Sequence, residues 1–242
     1  MLNFKLREEF QLIYRRPKTV TPLPSITHGI NNCTFSLDTD DHSNTLILST
    51  GNNVRTYDFE KKVFRNYADS SGQNFQSLAF HKESRKIYFL VGSQLKEMSL
   101  ETLQNGRNLC SMSCSYTPLR IAVNDKYVLC SNANGYKLMS LNISTLYQKY
   151  HTTPQLKNWI RNLKFHPDGD IVILDYSNKI SKYKFREDGD LELVWECTEV
   201  PTPYAICVDK ERGWVYVTGS GQKLYIISNG KTSGQLSRRL IG

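Results

Sequence analysis

The sequence has no long hydrophobic run, which argues against a transmembrane helix. No apolar stretch approaches the ~18–20 residues needed to span a bilayer. Residues 1–10 mix charged with apolar side chains, whereas a secretory signal would have an apolar core there. We therefore expect a cytoplasmic protein with no membrane partner.

Cysteine is scarce in this chain. Six cysteines are spread over 242 residues, and Cys33, Cys130 and Cys207 fall inside apolar strand-like runs. We expect buried free thiols, not a disulfide framework. The one close pair, Cys110 and Cys114, has the wrong spacing for a C-x-x-C redox motif and lacks the second Cys/His pair of a zinc site. No metal or other cofactor is expected.

Recognisable catalytic motifs are missing as well. The chain has no nucleophile elbow, no glycine-rich phosphate loop and no H-E-x-x-H pair. Its five histidines show no regular spacing to a serine or cysteine. Two of them, His81 and His166, recur at matching points of a repeat, where we interpret them as turn residues. The sequence therefore favours a protein that is not an enzyme.

What the sequence has in excess is positive charge. Lysine and arginine number 31 against 23 acidic residues, which gives a formal net charge of +8. Such a surplus favours nucleic acid, an anionic membrane surface or an acidic protein as partner, through long-range attraction. Charge alone does not indicate the fold.

A repeat indicates the fold. Five similar apolar segments start near residues 33, 78, 121, 163 and 206, at separations of 45, 43, 42 and 43 residues. Blades of a β-propeller typically repeat every 40–50 residues or so. Within the fourth unit, four β-rich runs are separated by turns, two of which contain Asp-Gly, a strong hairpin signal. In the fifth unit, the fourth strand is predicted over residues 235–241.

These features predict an all-β protein, a β-propeller of four-stranded antiparallel blades, over residues 28–242. Residues 1–27 are predicted to form an N-terminal strand and a proline-containing linker. Because the fifth unit already has four strands, the front strand has no blade of its own. Either the ring closes with five blades, or the chain is a truncated six-blade ring, which the orphan strand favours.

The fifth unit resembles an NHL repeat. Residues 203–209 (PYAICVD), 213–219 (GWVYVTG) and 224–231 (LYIISNGK) are similar to stretches of the propellers that end many invertebrate tripartite-motif proteins. Ala205 replaces the glycine that this family prefers, and units one to three match only in period and hydrophobic pattern. The resemblance implies a non-catalytic module that binds RNA or protein through one face. The RING and B-box regions of such proteins need clustered Cys and His, which this chain lacks.

Candidate binding residues follow from the usual path of a propeller chain, which brings the loops between strands two and three, and between consecutive blades, to one rim. Near that rim each unit carries a cation, and two arginines and three aromatic residues lie in or beside the loops. These residues are Arg55, Lys96, Lys137, Lys179, Lys223, Arg120, Arg161, Tyr116, Trp159 and Tyr204. One hypothesis is an anion-binding ring with stacking surfaces for single-stranded bases. The other is a solvated rim whose aromatic residues pack between blades.

Three functions remain open. The favoured one is a non-catalytic platform for protein partners, and the alternative is an RNA-binding NHL-type propeller that uses the cationic rim. A second alternative is a calcium-dependent hydrolase similar to the gluconolactonases. Against it, Asp175 is the one carboxylate among the equivalent turns, which otherwise offer Asn53, Gln94, Asn134 and Gln222. Calcium normally requires more than one carboxylate.

Overall fold

A computed structural model describes residues 34–40, 43, 45–50, 53–68, 75–104, 106–111, 120–131, 137–152, 158–186, 190–220 and 223–237. The predicted N-terminal strand and linker, residues 1–27, lie outside these ranges. The described residues form five four-stranded antiparallel sheets, and in each sheet the strands are neighbours in the order of the sequence. This arrangement is a five-bladed β-propeller, so the predicted fold class is confirmed.

The five blades take their strands from consecutive stretches of the chain. Blade 1 contains β1 (Thr34–Asp40), β2 (Thr45–Thr50), β3 (Asn53–Asp58) and β4 (Val63–Ala68); blade 2 contains β5 (Phe75–His81), β6 (Lys86–Val91), β7 (Gln94–Ser99) and β8 (Arg107–Ser111); blade 3 contains β9 (Ile121–Val123), β10 (Tyr127–Ser131), β11 (Lys137–Asn142) and β12 (Gln148–Thr152); blade 4 contains β13 (Ile160–Phe165), β14 (Ile171–Asp175), β15 (Ile180–Lys184) and β16 (Glu192–Cys197); blade 5 contains β17 (Ala205–Val208), β18 (Val215–Gly219), β19 (Lys223–Ser228) and β20 (Lys231–Ser237).

Strand position within a blade determines the sequence pattern. The second strands of blades 3 and 4, β10 and β14, are buried along their whole length. They are apolar up to their last residues, Ser131 and Asp175, because both faces of the sheet are covered by neighbouring blades. The fourth strand β16 instead alternates between exposed and half-buried residues over most of its length. Each blade therefore places its polar strand at the outer edge.

Apolar side chains from neighbouring blades form the core. Between blades 2 and 3, for example, Tyr88 and Leu90 pack in one cluster with Val128 and Cys130. The first strands also pack side by side in the order β1, β5, β9, β13, β17. In the described part of the chain, β17 does not pack against β1 to a comparable extent.

The far face of blade 5, which points away from blade 4, is less buried than its counterpart in blade 4. In blade 4, Val172 and Leu174 are wholly buried. At the matching register positions of blade 5, Tyr216 is half-buried and Thr218 is exposed. Cys207 lies opposite Tyr216 and is exposed as well. The expectation that Cys207 is buried is therefore wrong, because its face is not covered as the faces of inner blades are.

The fourth strand of blade 5 begins earlier than predicted. It starts at Lys231, directly after the turn residues Asn229 and Gly230, and pairs with β19 from Ser228 onward. Both turn residues have positive φ, 50° and 77°. Asn-Gly is the preferred pair for such a two-residue hairpin turn. The prediction of residues 235–241 overlooked this turn.

Among the described residues, no helix has the length and hydropathy needed to cross a bilayer.

Candidate functional site

One edge of the propeller, which we call the upper rim, is where first strands begin and second strands end. These points coincide because the two strands are antiparallel. Arg120 immediately precedes β9, Tyr176 immediately follows β14, and Tyr204 immediately precedes β17. The Tyr176 amide donates to the Trp159 carbonyl oxygen at 2.9 Å, which joins the beginning of β13 to the end of β14. Blades 3, 4 and 5 thus present large side chains at one edge.

We call five of these residues the arginine–aromatic cluster: Arg120, Trp159, Arg161, Tyr176 and Tyr204. Its two arginines tie consecutive blades together. The Arg120 Nε donates to the carbonyl oxygen of Arg161 at 2.7 Å, from blade 3 to blade 4. The Arg161 Nη1 in turn donates to the Pro203 carbonyl oxygen at 2.7 Å, at the entry to blade 5. Both side chains are therefore held in fixed orientations.

Two of the aromatic rings, those of Tyr176 and Tyr204, lie against Arg161. Its guanidinium carbon lies 5.2 Å from the centroid of the Tyr176 ring and 5.6 Å from that of Tyr204, within the range of cation–π attraction. Trp159 meets Tyr176 edge to face, with 6.3 Å between ring centroids. All three rings remain open to solvent, with exposed fractions of 49% for Trp159, 46% for Tyr176 and 51% for Tyr204.

The cluster carries two positive charges close together. Burial lowers the pKa of the Arg120 guanidinium, the nearby charge of Arg161 lowers it further, and the Tyr176 hydroxyl acts in the opposite direction. Arginine nevertheless stays protonated in proteins at neutral pH. The cluster thus combines exposed aromatic surface with positive charge.

The cations predicted to form a ring occupy different environments. Lys96 lies in mid-strand opposite Phe89 and is buried. Lys179 pairs with Glu196, at 3.1 Å from each carboxylate oxygen. Arg55 and Lys223 are half-buried. The side chain of Lys137 and the whole of Tyr116 lie outside the described residues, and the anion-binding ring stays a prediction.

The structure brings four of the predicted site residues together: Arg120, Arg161, Trp159 and Tyr204. The fifth member, Tyr176, was missed because the segment after β14 was interpreted as a polar turn. A signal was available, since Tyr176 is a large aromatic residue directly after a second strand and therefore at the rim.

Asp175, the carboxylate considered for a calcium site, is engaged in its own turn. It accepts hydrogen bonds from the Ser177 hydroxyl at 2.6 Å and from the amides of Ser177 and Lys179 at 2.8 and 3.1 Å. Of the equivalent turn residues, Asn134 and Gln222 lie outside the described ranges. Within those ranges, no three or more His, Cys, Asp and Glu side chains gather as metal ligands.

Comparisons with protein families and with curated proteins find no match. Many solved structures share the fold. A chain in a nidogen–laminin complex is similar at a TM-score of 0.69 and 10% identity, over 84% of this chain and 80% of that one. A chain in a mitotic checkpoint complex gives 0.65 and 11%, over 84% of this chain and 63% of that one. Virginiamycin B lyase from Staphylococcus aureus gives 0.63 and 13%, over 83% and 68%. At these identities the likeness concerns the fold alone.

Proposed function

We propose that this propeller is a non-catalytic platform that binds an acidic segment of a protein partner through the arginine–aromatic cluster. The observation that carries the proposal is the exposure of Trp159, Tyr176 and Tyr204 in a cluster in which the two tyrosines lie against a fixed Arg161. Tryptophan, tyrosine and arginine are the residues most enriched at energetic hot spots of protein interfaces. The formal net charge of +8 would speed the encounter with an acidic partner.

The rigidity of the cluster supports the same proposal. Arg161 is held by its hydrogen bond to Pro203 and lies between two tyrosine rings, so it has little side-chain freedom left to lose on binding. Contacts that are ordered before association cost less conformational entropy when the complex forms. Two of the structural neighbours come from protein complexes, the nidogen–laminin and mitotic checkpoint complexes, which is consistent with a propeller used as a docking surface.

Selection from a displayed peptide library tests the proposal. The wild-type protein is the bait, and the variant Trp159→Ala/Tyr204→Ala is used for counter-selection. We expect enriched peptides to contain acidic residues and to bind the variant at least about 30-fold more weakly, since hot-spot truncations cost about 2 kcal/mol or more. Synthetic versions of these peptides are measured with both proteins.

A matched control uses aromatic residues exposed elsewhere. Tyr147 and Tyr150, 62% and 42% exposed, lie next to and within the fourth strand of blade 3. The variant Tyr147→Ala/Tyr150→Ala should bind the selected peptides like wild type. Equal losses in the two double variants, or none in either, would contradict the proposal.

RNA binding is the competing outcome at the same cluster, since exposed aromatic rings beside arginine also stack on unpaired bases. Titration with fluorescent single-stranded RNA at several salt concentrations separates the two. Tight, steeply salt-dependent RNA binding that is lost in Trp159→Ala/Tyr204→Ala, together with no selected peptide, would replace the protein partner by RNA. That result would favour the NHL-type function implied by the fifth unit.

A further inference from the structure

A cavity at the lower rim, the edge opposite the arginine–aromatic cluster, lies between blades 2 and 3. Its volume is about 220 Å³, below the roughly 300–1,000 Å³ of pockets that enclose drug-sized molecules. One wall is a cross-strand row of blade 2 in which Tyr88 pairs with Glu97 and Glu97 pairs with Arg107. The boundary between these two blades, apolar at Leu90 and Leu95, becomes charged at this point.

The charges in the cavity wall are unbalanced. Glu97 is 9% exposed, and its Oε2 lies 3.1 Å from the Lys86 Nζ, while its Oε1 lies 3.8 Å from the Arg107 Nε. Two cations therefore share one carboxylate, which leaves a net positive charge at the cavity. Lys86 and Arg107 are partly exposed, so both can reach an arriving anion.

Tyr88 adds a buried polar group to the cavity wall. The residue is wholly buried, and its hydroxyl lies beside Ser84 and Glu97. Burial, and then the charge of Glu97, raise the pKa of this hydroxyl to about 12, so it remains a proton donor at neutral pH. The hydroxyl is therefore a neutral, buried part of the wall, and the charge at the cavity comes from Lys86, Arg107 and Glu97.

The remaining wall consists of Ser144 and three aliphatic side chains. Leu109 comes from β8, and Ile143 and Leu146 come from the turn between β11 and β12. We propose that this cavity binds a carboxylate that carries a small apolar group. Lys86 and Arg107 hold the carboxylate, and the three aliphatic side chains contact the apolar group. The ligand is either a small organic acid or the carboxyl terminus of a peptide that ends in an apolar residue.

Calorimetric titration tests this with matched probes: 3-phenylpropionate against its neutral amide, and the peptide Gly-Gly-Leu with a free against an amidated carboxyl terminus. We expect at least one free carboxylate to bind and its amide to bind at least about tenfold more weakly, the loss of about one charge-assisted contact. Which acid binds more tightly identifies the source of the ligand. Failure of both acids to bind the wild type would overturn the proposal.

Two variants locate the binding in the cavity. Arg107→Gln should weaken the acid at least about tenfold, since one of the two cations is lost. Lys86→Gln should likewise weaken it, since the other cation is lost. The control is Arg186→Gln, which removes an exposed arginine that pairs with Glu192 away from the cavity. Equal effects of the two arginine variants would contradict the assignment. Trp159→Ala/Tyr204→Ala should bind the acid normally, so this test is independent of the proposed function.

Discussion

The side chain of His166 connects blade 4 to blade 5. Its Nε2 lies 2.9 Å from the Gly213 carbonyl oxygen in the turn between β17 and β18, and its Nδ1 lies 2.7 Å from Asp168 in its own turn. His81 connects blade 2 to blade 3 in the same way, where its ring nitrogens lie 2.7 Å from Ser84 in its own turn and 3.3 Å from Asp125 of blade 3. The sequence interpretation of both histidines as turn residues is thus incomplete, since each also contacts the next blade.

The contact between His166 and Gly213 leads to a first prediction. Gly213 has φ of +68°, and a Cβ there would lie 2.8 Å from the His166 Nε2. Gly169, in the matching turn of blade 4, has φ of +88° and open space around the same position. We expect Gly169→Ala to lower the free energy of unfolding by about 1–2 kcal/mol, the cost of a left-handed residue. Gly213→Ala should lower it by more, because the histidine must also move. Denaturant unfolding compares the two, and equal losses would contradict the contact.

Asp168 lies at the centre of a small ionic network. The Lys182 Nζ, on a side chain that is almost fully buried, contacts Asp168 and lies 3.4 Å from Asp170. Burial raises the pKa of the Asp168 carboxyl, but hydrogen bonds from Lys182, the Asp170 amide and His166 outweigh it. The net result is a pKa below the ordinary value of about 3.8.

The pH dependence of this network is a second prediction. Because the folded-state pKa of Asp168 lies below the unfolded value, its stabilising effect is complete above the unfolded pKa. The effect is lost as pH falls through the folded pKa. Asp168→Asn should therefore be less stable than wild type near neutral pH, and the difference should shrink on acidification. Chemical unfolding at a series of pH values measures it, and a difference that does not change with pH would count against the network.

At the scale of the element, short polar side chains shape the turns. Asp58, Asn124, Asn142, Asp168, Asp175 and Asp209 each accept hydrogen bonds from backbone amides two to four residues later. These local bonds satisfy amides that a tight turn leaves without strand partners. In blade 2 the Ser99 Oγ accepts from the Glu101 amide at 3.1 Å in the same way, so each of the five blades contains at least one such turn.

Asn142 provides a third prediction, for the turn between β11 and β12. Its Oδ1 accepts from the Ser144 and Thr145 amides, both at 3.0 Å. Asn142→Ala should lower the free energy of unfolding by about 1–3 kcal/mol, because two amides lose their acceptor. Asn142→Asp keeps an acceptor at the same point and should cost less. Thermal unfolding midpoints of the two variants test this. A smaller decrease for Asn142→Ala than for Asn142→Asp would contradict the role of the Asn142 side chain as an acceptor.

Strand periodicity allowed the blades to be predicted because second strands buried on both faces produce the same apolar run in the first four units. In units one to three these strands begin at matching points, residues 45, 86 and 127. The end of the chain was predicted less well, because the polar Asn229-Gly230 turn separates two strands whose own patterns are weak. The pairing register of β19 with β20 could not be predicted without recognising that Asn229-Gly230 forms a two-residue hairpin turn.

At the scale of the whole molecule, burial depends on whether a blade has neighbours on both sides. Ile180 of blade 4 and Leu224 of blade 5 occupy matching positions, opposite Leu174 and Thr218 respectively. Ile180 is wholly buried within the core between these blades, whereas Leu224 is half-buried.

This pair gives a fourth prediction. Ile180→Ala should cost about 2–5 kcal/mol of unfolding free energy, as is usual for a buried aliphatic residue in a packed core. Leu224→Ala should cost distinctly less, because less of its surface is removed from water on folding. Equilibrium unfolding in urea provides both values. Equal costs would mean that the far face of blade 5 is packed like an inner one.

The candidate site could be predicted only in part, because its contacts join different blades. Arg120, Trp159, Arg161 and Tyr204 were found because the repeat places their loops on one rim. Their mutual contacts cross blade boundaries, and a pattern within one repeat does not reveal which side chain reaches the next blade. The burial of Lys96 was also missed. It lies only two residues beyond Gln94, where β7 begins at the rim, and that distance is enough to place it in the interior of the blade.

The serial packing of first strands makes the five blades comparable to a linear array. In such an array each unit is stabilised mainly by its nearest neighbours. Blade 5, whose far face is less buried, should then open before blade 4, and the cooperative unit of unfolding would be smaller than the whole chain. The arginine–aromatic cluster, which joins blades 3, 4 and 5 through two hydrogen bonds, couples one end of the array to its middle. A ligand bound there would therefore protect blade 5 from opening.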